Sequence, residues 1–270
     1  MYRSRNSLVI FDADGTLIDA FCAIEAAFSR NGMDIGDQER FRKRRRLLKY
    51  LGGLREFPGN LRRQFGKQSR RQLIQTLTDV YRQETLLHPG LADLLKQLIG
   101  APSVRVGIVT RNVTLEPAET MRQLLRRHDV DIDALDFTVC IPLREDKQKS
   151  FCAIRKMLGV NPALGFACGD EYSDYLAAVG AGLHPFIAAY GFENYRRLRD
   201  ANVPEAVIAV TPQSLADRLS HALGLPLPGA QAEEHQPLWS ATVGAISRSP
   251  RDSMTRWAAT LPSRAAAIPD

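Results

Sequence analysis

Two carboxylates stand two residues apart in the stretch Asp12-Ala13-Asp14-Gly15-Thr16-Leu17. They directly follow the apolar run Leu8-Val9-Ile10-Phe11. Such a run reads as a strand buried on both faces, so its end delivers both carboxylates to one edge of a sheet. Burying unpaired carboxylates is costly. A bound cation removes that cost, and an all-oxygen donor set suits Mg²⁺. With a cation in place, one carboxylate can act as a nucleophile while the other handles protons. Gly15 lets the backbone turn sharply, and Thr16 can bond the local backbone.

Two more strand ends carry chemistry. The apolar stretch 104–109 runs into Thr110-Arg111-Asn112, and the stretch 164–168 runs into Gly169-Asp170-Glu171-Tyr172-Ser173-Asp174. In open parallel sheets, ligands bind outside the carboxyl ends of the strands. Further strands are expected at 137–141, 185–189 and 206–210. Helices are expected at 17–30, 38–54, 69–87, 90–99, 116–128, 150–158, 172–179 and 213–223. Strands alternating with helices predict an α/β fold, a Rossmann-like parallel sheet with helices on both faces. The all-helical stretch 18–87 interrupts that alternation after the first strand. The expected organisation is therefore a catalytic core of residues 1–17 and 88–225 with a helical insertion at 18–87. Beyond about 225 the chain is rich in Pro, Ala and Ser, and reads as a weakly ordered tail, 226–270, with one helix near 254–260.

The motifs resemble those of the haloacid dehalogenase superfamily, in its phosphatase branch. Residues 9–17 look like the first motif, Val109-Thr110-Arg111-Asn112 like the second, and residues 169–174 like the fourth. The resemblance covers about residues 7–223. It implies that Asp12 attacks phosphorus to form an aspartyl-phosphate, and that Asp14 protonates the leaving group and then activates water. It implies that Thr110 hydrogen-bonds the transferring phosphoryl group. Arg111, next to it, reads either as a substrate contact or as a solvent-facing side chain, and Asn112 as a substrate contact or a cap of the following turn. Asp12, Asp14 through its backbone carbonyl, and Asp170 would hold Mg²⁺, with Asp174 completing or supporting the site. The third motif supplies a phosphate-binding lysine. Lys147 has the preferred spacing to Phe151, and Lys149 is the second candidate. Dehalogenases of this superfamily lack an acid at the position of Asp14, so dehalogenation is not expected. The insertion 18–87 matches the position of an α-helical (C1-type) cap. The implied reaction is hydrolysis of a small phosphorylated metabolite resembling phosphoglycolate, a sugar phosphate or a nucleotide. The alternative is a phosphomutase of the β-phosphoglucomutase type, which passes the phosphoryl group to a sugar.

Charge is unevenly spread along the 270 residues. The chain carries 36 Lys and Arg against 30 Asp and Glu, a net charge of +6. Residues 40–71 hold 13 basic residues and one acid, so this stretch carries +12 and the remainder −6. The run Arg42-Lys43-Arg44-Arg45-Arg46 cannot occupy one helix face, because five residues turn through about 400°. A solvated basic helix is the plain reading. A positive rim that attracts anionic substrates is the functional one, and a docking patch for a polyanion is the third. A small anionic substrate is the expected partner, rather than nucleic acid or membrane, and the chain is expected as a monomer or homodimer. The apolar stretch near the N-terminus is too short for a signal peptide. Cys22, Cys140, Cys152 and Cys168 lack metal spacing and read as buried free thiols. A cytoplasmic location is expected.

Overall fold

The computed structural model describes residues 7–33, 67–143 and 145–227. A six-stranded, all-parallel sheet forms the centre, in the order β3-β2-β1-β4-β5-β6. Its strands are β1 (Ser7–Phe11), β2 (Val104–Thr110), β3 (Phe137–Cys140), β4 (Gly165–Gly169), β5 (His184–Ala188) and β6 (Ile208–Ala209). The helices are α1 (Ala20–Arg30), α2 (Lys67–Gln83), α3 (Leu91–Gly100), α4 (Pro117–Arg127), α5 (Lys147–Met157), α6 (Tyr172–Gly180), α7 (Tyr195–Asp200) and α8 (Pro212–Leu223).

β1 lies between β2 and β4, with Phe11 level with Ile108 on one side and Cys168 on the other. Leu8, Val9, Ile10 and Phe11 are all fully buried, as the continuous apolar run predicts. Alternate side chains point to opposite faces. Val9 and Phe11 pack with residues of α1, α2, α3, α4 and α8, including Ile24, Leu77, Leu94, Leu124 and Leu215. Leu8 and Ile10 pack with Phe151 and Ile154 of α5 and Ala177 and Ala178 of α6. A smaller cluster of Ile187, Leu198, Val203 and Ile208 closes the β6 edge. Helices therefore cover both faces of the sheet.

Several boundaries differ from the sequence reading, each for a local reason. α1 starts at Ala20 rather than 17, because the Asp19 carboxylate accepts from the Cys22 N–H at 3.2 Å and caps the helix. α2 stops at Gln83. Beyond it, Asp19 N–H donates to the Leu86 carbonyl (3.0 Å) and His88 N–H to the Leu17 carbonyl (2.8 Å). The chain thus enters and leaves the insertion along paired antiparallel segments, bridged at Ile18 and Leu87. α5 starts three residues early, because Asp146 accepts from the Gln148 N–H at 2.9 Å. Residues 205–207 form a 3₁₀ turn ahead of a two-residue β6. α7 escapes periodicity reading because Leu198 is its single buried side chain.

The Thr16 hydroxyl is buried with no hydrogen-bond partner, so it makes none of the local bonds expected of it. Of the four cysteines only Cys168 is buried; Cys22 is exposed. The helix expected at 38–54, the run 42–46 and the helix near 254–260 lie outside the described residues. Residues 1–230 and 231–270 separate into two units by contact, and the second lies wholly outside the described residues. No helix among the described residues is long and apolar enough to cross a membrane.

Candidate active site

Three strand ends meet at one place. Asp12 follows β1, and its N–H donates to the Cys168 carbonyl of β4 at 2.8 Å, extending the ladder by one residue. Thr110 ends β2 and Asp170 follows β4. One Asp12 carboxylate oxygen accepts from the Ala13 N–H at 2.8 Å. The chain then folds back tightly, with the Ala13 carbonyl accepting from Leu17 and Ile18 (both 2.9 Å). Gly15 has φ +83°, and a Cβ there would collide with the Asp170 carboxylate and the Phe192 ring. Only glycine satisfies both the backbone conformation and that close approach.

Lys147 is the first residue of α5 and is buried. Its Nζ lies 2.5 Å from Asp12 Oδ2 and 2.7 Å from Asp174 Oδ1. Burial opposes its charge, but the carboxylates of Asp12 and Asp174 outweigh burial and push its pKa above the usual value. Lys149 lies two residues on, about 200° around the helix, and is exposed. The structure brings the first lysine to the site and leaves the second in solvent.

Asp174 Oδ2 accepts from the N–H groups of Asp170 (3.2 Å) and Glu171 (3.0 Å), and Asp170 Oδ2 accepts from the Phe192 N–H at 2.7 Å. These bonds point the carboxylates inward. Oxygen atoms of Asp12, Asp170 and Asp174 all lie within 4.8 Å of one another, and all three residues are buried. Lys147 supplies one positive charge against three carboxylates. Burial raises the Asp12 pKa most, Lys147 opposes it and Asp174 adds to the rise; the net direction is upward. A hard divalent cation with oxygen ligands would supply the missing charge, so the residues fit Mg²⁺.

Asp14 points elsewhere. Its Oδ1 accepts from the Tyr81 hydroxyl at 3.0 Å, and its two oxygens lie 3.3 and 3.4 Å from Asn112 Nδ2. Its carboxylate is outside the three-carboxylate cluster, so any part in holding a cation falls to its backbone. Burial, with Asp12 nearby, pushes its carboxyl up to about 7.

The Thr110 hydroxyl is buried and has no hydrogen-bond partner. It lines the same pocket as Asp12, Asp14, Arg111, Lys147 and Asp170. Arg111 Nε donates to the Glu145 carbonyl at 3.2 Å, so that loop orients the guanidinium at the rim. Asn112 has two tasks: its amide N–H reaches Asp14, and its carbonyl oxygen accepts from the Thr114 N–H at 2.8 Å, capping the next turn. Ile24 of α1 and Leu77 of α2 supply apolar wall.

Sequence reading misses Tyr81. It sits 67 residues from Asp14, and its helical spacing with Leu73 and Leu77 marks it only as a core position. Phe192, which contributes a backbone N–H and a ring, carries no sequence signal either.

Residues 7–182 match the family model of the haloacid dehalogenase-like hydrolases. A phosphoglycolate phosphatase of Pseudomonas putida is 24% identical over 270 residues, covering 93% of each chain. Phosphoglycolate phosphatase 1 of Pseudomonas aeruginosa is 25% identical over 222 residues, covering 74% of this chain and 75% of that one. Among solved structures, a haloacid dehalogenase-like hydrolase of Streptococcus pneumoniae shares the fold with a TM-score of 0.54 and 20% identity, over 80% of this chain and 99% of its own. A Thermotoga maritima protein provisionally described as a β-phosphoglucomutase shares it with a TM-score of 0.56 and 19% identity, over 80% and 99%. With the match spanning β1 to the end of α6, through every strand end that carries a site residue, the chain belongs to the haloacid dehalogenase-like hydrolase family.

Proposed function

We propose that this phosphatase hydrolyses a small phosphorylated metabolite, in the size class of phosphoglycolate or a sugar phosphate, through an aspartyl-phosphate on Asp12. The observation that carries the reading is the separation of the two carboxylates. Asp12 is held in the metal-competent carboxylate cluster, against the Lys147 ammonium. Asp14 is turned away from that cluster, with its proton affinity raised to about 7. Asp12 carries an ammonium on one oxygen whereas Asp14 receives only neutral donors, and two carboxyls in such different surroundings suit a nucleophile and an acid–base group. The relatives named phosphoglycolate phosphatase support the substrate class.

Each residue then has a task. Asp12 attacks phosphorus, its lone pair aligned by the Ala13 N–H and Lys147. Lys147 and the Thr110 hydroxyl meet the charge on the transferring phosphoryl oxygens. Asp12, Asp170 and the Asp14 carbonyl, with support from Asp174, would hold Mg²⁺, which would supply further charge neutralisation. Asp14 gives its proton to the departing ester oxygen, then takes one from the water that attacks the acyl-phosphate. Arg111, which lines the same pocket, would hold an anionic part of the leaving group.

The test is phosphate release, with Mg²⁺, across phosphoglycolate, sugar phosphates and nucleotides. Asp12→Asn should abolish turnover. Full activity in that variant overturns the nucleophile. Product analysis with a sugar phosphate separates hydrolysis from transfer to a sugar hydroxyl.

A further inference from the structure

The Asp14 carboxyl projects from a tight turn whose backbone bonds hold the chain and leave the side chain to be held by others. Gly15, its neighbour, is in the left-handed region, and the Asn112 amide reaches it only at 3.3 and 3.4 Å. The shorter contact is the Tyr81 hydroxyl at 3.0 Å on Oδ1. The backbone that carries Tyr81 is itself held from α4. Arg127 at the end of α4 donates to the carbonyls of Tyr81 (3.3 Å), Arg82 (3.2 Å) and Thr85 (2.9 Å). Arg82 in turn donates to the Thr120 hydroxyl (3.1 Å) and the Glu116 carboxylate (2.9 Å) of the same region. The C-terminal turn of α2 is therefore bolted to α4, and the phenol it carries is a fixed donor rather than a passing contact.

Resting on the phosphatase reading above, we propose that Tyr81 is a positioning residue for Asp14. Its hydroxyl occupies Oδ1, so the transferable proton sits on Oδ2 and faces the leaving group. As the bond from Asp12 to phosphorus forms, the P–O ester bond breaks and its electron pair stays on the ester oxygen. That oxygen takes the Oδ2 proton. Tyr81 keeps its own proton throughout.

The value of a placed acid depends on the leaving group, because a good leaving group departs without protonation. With Mg²⁺, Tyr81→Phe should lower kcat/KM for glycerol 2-phosphate, an alkyl ester, about 10- to 100-fold. It should lower kcat/KM for 4-nitrophenyl phosphate less than about 3-fold, and produce a burst of nitrophenolate as water attack slows. The buried ring is retained, so the fold is not put at risk. In an Asp14→Asn background the same change should alter the alkyl-ester value less than about 2-fold, since the two act as a unit. An equal loss on both esters, no loss on either, or an undiminished effect in the Asp14→Asn background overturns the proposal. A wild-type chain inert towards both esters overturns the phosphatase reading and the role of Tyr81 with it.

Discussion

Lys147 neutralises two carboxylates with one ammonium, and its side chain is almost fully enclosed. Removing one partner of such a group leaves buried charge without compensation. Lys147→Met should therefore destabilise the protein by about 3–5 kcal/mol, read by urea denaturation in EDTA. An unchanged midpoint would show that the ammonium contributes no net stabilisation. Asp14 makes the opposite prediction. Its folded pKa of about 7 lies above the unfolded value of about 3.9. Between those values the folded chain binds a proton that the unfolded chain has released, so stability falls as pH rises through the window. In EDTA, Asp14→Asn should match wild type near pH 4 and exceed it by about 1–2 kcal/mol above pH 7. A difference independent of pH would refute the raised proton affinity.

At the level of elements, α2 belongs as much to the sheet's surroundings as to the insertion that contains it. Its buried face, Leu73, Leu77, Val80 and Tyr81, joins the same core cluster as Val9 and Phe11. Its last carbonyls have no helical partners and are met by Arg127. Arg127→Ala should raise amide exchange in the terminal turn of α2, where Glu84 and Thr85 donate to Val80. Because Arg127 is exposed, the cost in global stability should be only about 1 kcal/mol. Unchanged exchange at Glu84 and Thr85 would mean that the α2–α4 packing alone holds the turn.

For the molecule as a whole, charge is divided by location. The ends of β1 and β4 and the first turn of α6 gather Asp12, Asp170 and Asp174 into one buried cluster, while the +12 stretch lies almost entirely outside the described residues, Lys67, Arg70 and Arg71 excepted. The concentration of negative charge makes stability depend on cation. Mg²⁺ at about a hundred times its Kd should raise unfolding free energy by about 2.7 kcal/mol, seen as a rise in Tm. Asp170→Asn should lose most of that increment. A variant that retains it would place the cation elsewhere.

The sequence alone determined the strand ends and the residues immediately beyond them. A run such as Leu8–Phe11 carries its burial in its composition, and Asp12, Thr110 and Asp170 close or succeed their strands with no intervening loop whose path must be guessed. Parallel order then brings those ends to one edge. Helix starts were less legible, because a single capping carboxylate, Asp19 or Asp146, moves a boundary by three residues without changing the apolar period. Tertiary structure decided whatever depends on rotation about a helix axis or on contacts between distant segments. Lys147 enters and Lys149 does not because α5 is capped at Asp146 and buries one face. Tyr81 reaches Asp14 because α2 packs against α1 and α4. Local spacing specifies which residues share a face; only packing specifies what that face meets, since the contact energy resides in partners tens of residues away.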